Sequence, residues 1–76
     1  VTERVRINSS GNVGIGTTTP NAAALLELSS TTKGFLPPQM TTAQRDAIGS
    51  PPAGLVIYNT TTGVLNFYNG TVWGAV

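Results

Sequence analysis

Gly11, Gly14 and Gly16 are the first residues to test for chemistry, because glycine-rich loops cradle phosphates with their backbone N–H groups. Their spacing does not match a dinucleotide fingerprint. Gly16 leads into Thr17-Thr18-Thr19-Pro20 without the lysine that a P-loop requires, and Pro20 opposes a helix at that point. General acid–base work needs two ionisable groups held together. The acids are Glu3, Glu27 and Asp46, dispersed along the chain, and Asp46 adjoins Arg45 in a short helical stretch that suits solvent. There is no His, so only Lys33 could activate the many Ser and Thr hydroxyls. Without Cys, His or clustered carboxylates neither thiolate, imidazole nor oxygen-ligand metal sites are expected. The expectation is no catalysis, no cofactor and no metal. Contact chemistry remains: Tyr58, Phe67, Tyr68 and Trp73 gather near the C-terminus. Aromatic faces stack on sugar rings, which makes Tyr58, Tyr68 and Trp73 candidate glycan contacts. In a small β unit aromatics also serve as core or subunit interface.

Composition narrows the function class further. A chain of 76 residues buries only about 60% of its unfolded surface, and folds this small lean on disulfides, metals or oligomerisation. Cys and His are both absent, which leaves oligomerisation. Charged residues make up 9% of the chain, against roughly 25% in an ordinary globular domain. A net charge of +1 gives no field to gather nucleic acid or an anionic membrane. No apolar run approaches the roughly 20 residues of a membrane span, so membrane insertion is not expected. A Thr-, Gly- and Asn-rich chain of low charge is typical of extracellular fibrous assemblies. The chain begins at Val1, as expected of a piece of a longer polypeptide. The triplets starting at Asn8, Asn59 and Asn69 match the N-glycosylation pattern, but each coincides with an expected turn, where Asn is favoured for backbone reasons.

The elements that must position these residues are mainly β. Arg4–Ile7 alternates polar and apolar, the turn-rich residues Asn8–Asn12 follow, and Val13-Gly14-Ile15 makes a second strand, which reads as a hairpin. A third strand is expected over 24–29, with Leu26 and Leu28 on one face and Leu25 and Glu27 on the other. Gly34-Phe35-Leu36-Pro37-Pro38 is extended and suits a sheet edge or a packed connector. Thr41 and Gln44 form a capping-box pair for a helix over Thr42–Ile48, with Ala43, Ala47 and Ile48 facing the core and Gly49 at C′. Leu55–Tyr58, Val64–Tyr68 and Thr71–Trp73 read as a meander, with Leu65, Phe67 and Val72 on one face. Its Asn69-Gly70 turn is expected to pair Tyr68 with Thr71 and Asn66 with Trp73. The organisation expected is a β segment over 1–33, a Pro-rich connector with the helix over 34–53, and the meander over 54–76.

Within the second strand, Val13 and Ile15 alternate with Gly14 and Gly16, so one face is β-branched and the other is bare. A bare face admits close backbone approach, and a second copy of the chain is the expected neighbour. Val13, Gly14, Ile15 and Gly16 are thus the candidate packing residues. The stretch from Arg6 to Pro20, with its run Gly-Asn-Val-Gly-Ile-Gly-Thr-x-x-Pro, closely resembles a module of bacteriophage tail fibres. Lys33–Ile48, Gly54–Thr60 and Phe67–Trp73 are similar to segments of phage fibres and of surface proteins of Bacteroidetes-like bacteria. The resemblance implies a homotrimer with interwoven β-structure, so the fold expected is mainly β with one short helix, a small β-hairpin plus a C-terminal three-stranded meander in each of three interwoven chains. It also implies a place in the extracellular tail fibre of the virion, beside other fibre or tail proteins, supporting host attachment as shaft, connector or small tip. A receptor-binding tip that recognises host surface glycan, and a bacterial cell-surface adhesin module, are the alternatives.

Overall fold

A computed structural model describes residues 4–76. Val1 to Glu3, which open the expected 1–33 segment, lie outside the described residues. The chain is mainly β with one short helix, and divides into two compact units, 1–35 and 36–76.

The first unit holds β1 (Val5–Ile7), β2 (Val13–Ile15) and β3 (Leu26–Leu28). The expected hairpin is present: β1 and β2 are antiparallel, with Val5 opposite Ile15 and Ile7 opposite Val13. Loop 8–12 is shaped by Asn8, whose Oδ1 accepts from the N–H groups of Ser10 and Asn12, both at 3.0 Å. β3 then joins the free edge of β2 in parallel, after a connection over 16–25. Asn12 ties down the end of that connection, its Nδ2 donating to the Ala24 carbonyl at 2.9 Å. Because side chains alternate across a strand, registry sorts this sheet into two faces. One carries Val5, Ile7, Val13, Ile15, Leu26 and Leu28; the other carries Arg6, Gly14 and Glu27.

The second unit holds β4 (Gln39–Met40), α1 (Thr42–Asp46), β5 (Val56–Asn59), β6 (Val64–Tyr68) and β7 (Trp73–Ala75), in one sheet of order β4-β5-β6-β7. Pro37 and Pro38 have no N–H to give to a ladder, and they lead into the edge strand β4. The Pro38 carbonyl still accepts from Tyr58 at 2.9 Å, and the Met40 carbonyl from Thr60 at 2.8 Å, which pairs β4 with β5. The meander is therefore the larger part of a four-stranded sheet.

The capping box is made in full, with Gln44 N–H donating to Thr41 Oγ1 and Thr41 N–H to Gln44 Oε1. The helix is shorter than expected, and it turns Thr42 and Arg45 inward while Ala43 and Ala47 stay exposed. The left-handed residue beyond it is Ser50, at φ 49°, rather than Gly49. Thr41→Ala removes the acceptor that pairs the Gln44 N–H in the first helical turn, and should lower the unfolding free energy by about 1 kcal/mol. Urea denaturation at fixed chain concentration checks this, and an unchanged midpoint contradicts it.

The Asn69-Gly70 turn differs from the expected two-residue loop. Tyr68 faces Trp73 and Asn66 faces Ala75, so loop 69–72 is longer. Asn69 Oδ1 accepts from Thr71 at 2.8 Å and from Val72 at 2.9 Å, adding to the backbone bond from Asn69 N–H to the Val72 carbonyl at 3.2 Å. The slip is an even number of residues, so every side chain keeps its face. Val72, expected on the meander's apolar face, lies in the loop instead and is exposed.

Candidate functional site

The candidate residues of this chain lie on the faces of its two sheets. Among the described residues, no group of three His, Cys, Asp or Glu could hold a metal ion, and no helix is long and apolar enough to cross a membrane.

In the second unit, registry puts Ile57, Asn59, Val64, Asn66, Tyr68, Trp73 and Ala75 on the side of the sheet that α1 covers. That layer is held by amides. Asn59 is fully buried and Asn66 is 4% exposed. Asn66 Oδ1 accepts from Asn59 Nδ2 and from Arg45 Nη1, both at 2.9 Å. Asn59 Nδ2 also donates to Thr42 Oγ1 at 2.9 Å, and Asn59 Oδ1 accepts from the N–H groups of Thr61 and Thr62 at 2.9 and 3.2 Å. The Arg45 guanidinium lies 5.4 Å from the centre of the Trp73 ring and bonds the Asp46 carboxylate at 2.7 Å. One asparagine thus shapes loop 60–63 and clamps the helix to the sheet.

This network was not expected from the sequence, where Arg45 and Asp46 read as a solvated pair and Asn59 as a turn residue. Its one signal is that Asn59 and Asn66 alternate in step with Ile57 at inward strand positions. Asn59→Ala strands two loop N–H groups and takes a partner from Thr42 and Asn66. The expected loss is about 2–3 kcal/mol, read by urea denaturation at fixed chain concentration; a loss below about 0.5 kcal/mol contradicts the clamp.

The opposite side of this sheet carries Gln39, Val56, Tyr58, Leu65, Phe67 and Gly74. Val56, Leu65 and Phe67 are exposed and Tyr58 is half-buried. Tyr58 is therefore on the other face from Tyr68 and Trp73. Those two meet edge to face, with ring centres 5.3 Å apart, and Tyr68 Oη donates to the Thr71 carbonyl at 3.0 Å. The structure brings together two of the three candidate glycan residues and separates the third.

The first unit repeats the pattern of one closed and one open face. A Cβ on Gly14 would lie 2.7 Å from Pro20 Cγ and 2.9 Å from both Thr17 Cγ2 and the Thr17 carbonyl oxygen. The loop after β2 folds back over the bare face, and Asn21 N–H donates to Glu27 Oε1 at 2.7 Å to hold it there. Gly16, at φ 83°, sits where a Cβ would collide with the Ser29 carbonyl oxygen. A second copy was expected against Gly14 and Gly16; the close neighbour of both is the chain itself. The open side is the apolar one: Val5, Ile7, Ile15, Leu26 and Leu28 are all exposed, Val5 at 55% and Ile7 at 70%. Val13 and Ile15 remain on that open side, with Val13 half-buried.

The remaining apolar core is very small. Ile57, at 2% exposed, is the buried hydrophobic residue of the described chain. Apolar residues instead line two uncovered sheet faces, a distribution that suits association and not a lone chain.

Comparison with known proteins agrees with that distribution. No curated protein and no solved structure matches the chain. The family model described as a phage tail like trimerisation region matches residues 14–76, from β2 through β7. The chain belongs to the phage tail like trimerisation region family.

Proposed function

We propose that this chain is a structural segment of a trimeric phage tail fibre, a shaft, connector or small tip that supports attachment of the virion to its host. Three copies bring their open sheet faces together around a common axis, and their β-structure interweaves there. Burial at about 25 cal/mol per Å² then provides the core that one chain lacks. The observation that carries this reading is the exposed row Val56, Leu65 and Phe67 on a sheet whose other side is already covered, in a chain of a trimerisation family. The work is mechanical, with no reaction to catalyse, and neighbouring fibre or tail proteins transmit it.

This reading has more support than a glycan-recognising tip. Tyr58 stands apart from Tyr68 and Trp73, and the Arg45 guanidinium already lies over the Trp73 ring. Adsorption to host cells is the test. Particles whose fibres carry Phe67→Asp should adsorb poorly, because their fibres fail to assemble. Undiminished adsorption by such particles contradicts the proposal.

A further inference from the structure

The two units differ in what holds each one together. The second has Ile57, the Asn59–Asn66–Arg45 network and a fully capped helix. In the first, the buried residue among those described is Gly14, which has no side chain to contribute. Its strands are three residues each, and its six apolar strand residues share one uncovered face. Ordering a residue costs about 1–2 kcal/mol in backbone entropy alone. A three-stranded sheet offsets that only by covering a hydrophobic face. Among the described residues of the first unit loop 17–21 lies over the Gly14 side, and five of the six apolar residues on this face are exposed.

We infer that the first sheet is ordered by assembly: residues 5–28 hold their fold only when the same face of the two other copies covers Val5, Ile7, Ile15, Leu26 and Leu28. The inference rests on the trimeric reading above and adds that the two units form in sequence, the second before the first. The occupant is a further copy of this chain for two reasons. The family match to a trimerisation region takes in β2 and β3. The face is also free of charge, because Arg6 and Glu27 lie on the opposite side, so identical copies meet on it without repulsion.

Hydrogen exchange on the 76-residue chain tests this. The N–H groups of Val13, Gly16 and Ser29, bonded to Leu25, Arg4 and Ile15, report on the first sheet. Those of Tyr58, Thr60 and Tyr68, bonded to Pro38, Met40 and Leu55, report on the second. In Leu28→Asp the first set should exchange at least roughly 100-fold faster than in the native trimer, while the second set stays protected and the mass stays trimeric. Thr18→Asp puts the same charge on an exposed loop residue and should leave both sets protected.

First-sheet protection that persists in Leu28→Asp, in a chain whose native form is trimeric, overturns this inference alone. Loss of both sets in Leu28→Asp also overturns it, because the two units would then fold as one. Native chains that are monomeric at every concentration overturn the trimeric reading itself, and this inference with it.

Discussion

Phe67→Asp should abolish the trimer. Phe67 lies in the middle of β6, between Val56 on β5 and Gly74 on β7, on the sheet face opposite α1, where Val56 and Leu65 are exposed beside it. In one chain the change is tolerable, because the ring is 37% exposed and its replacement reaches water. In a trimer closed on this face, three carboxylates would leave water together. An unpaired buried charge costs several kcal/mol, and the cost falls on all three chains at once. The predicted outcome is a monomer at concentrations where the native chain is trimeric, with the amides of Tyr58 and Tyr68 exchanging faster for want of a partner. Lys at Phe67 should do the same, whereas Leu should retain the trimer with reduced stability. A trimeric Phe67→Asp would place the threefold contact elsewhere.

Gly14→Val acts inside the chain. Its Cβ alone would lie 2.7 Å from Pro20 Cγ and 2.9 Å from the Thr17 carbonyl oxygen, and valine adds two methyl groups beyond that point. A side chain can rotate away, but a backbone carbonyl cannot without moving loop 17–20. That movement also breaks the bond from Asn21 N–H to Glu27. Overpacking of this kind costs about 1–3 kcal/mol, and more where the backbone must shift. The first sheet has no buried apolar side chain to absorb it. The expected result is loss of protection at Val13, Gly16 and Ser29 while the second unit keeps its fold. Gly34→Val, at a glycine with nothing within 4 Å of a new Cβ, is the control and should be neutral. If Gly14→Val left the first sheet protected and only weakened assembly, the bare face would belong to a neighbouring chain after all.

Local rules account for what could be read directly from the sequence. Thr41 and Gln44 cap the helix because their spacing alone creates the capping box. Asn8, Asn59 and Asn69 each use their side-chain oxygen to hold backbone N–H groups two to four residues on, as expected of turn asparagines. Alternation placed Val5, Ile7, Val13 and Ile15 on one face of a hairpin, and the register agrees.

What could not be read depends on contacts between distant residues. The parallel pairings of β3 with β2 and of β4 with β5 leave no local mark in strands of two to four residues. Arg45 reads as a solvated helix residue until Asn66, remote in sequence, supplies its acceptor. Alternation leaves one side of Gly14 bare without saying whose backbone approaches it; within this chain the Thr17 carbonyl does. That answer moved the open surface from the glycines to the β-branched residues beside them.

The mass of the native particle tests the central claim most directly. Sedimentation equilibrium of the 76-residue chain at micromolar concentration and above should return three times the 7.8 kDa of a single chain. A single species at 7.8 kDa across that range would contradict the account, because both sheet faces would then stand open to water in a stable protein.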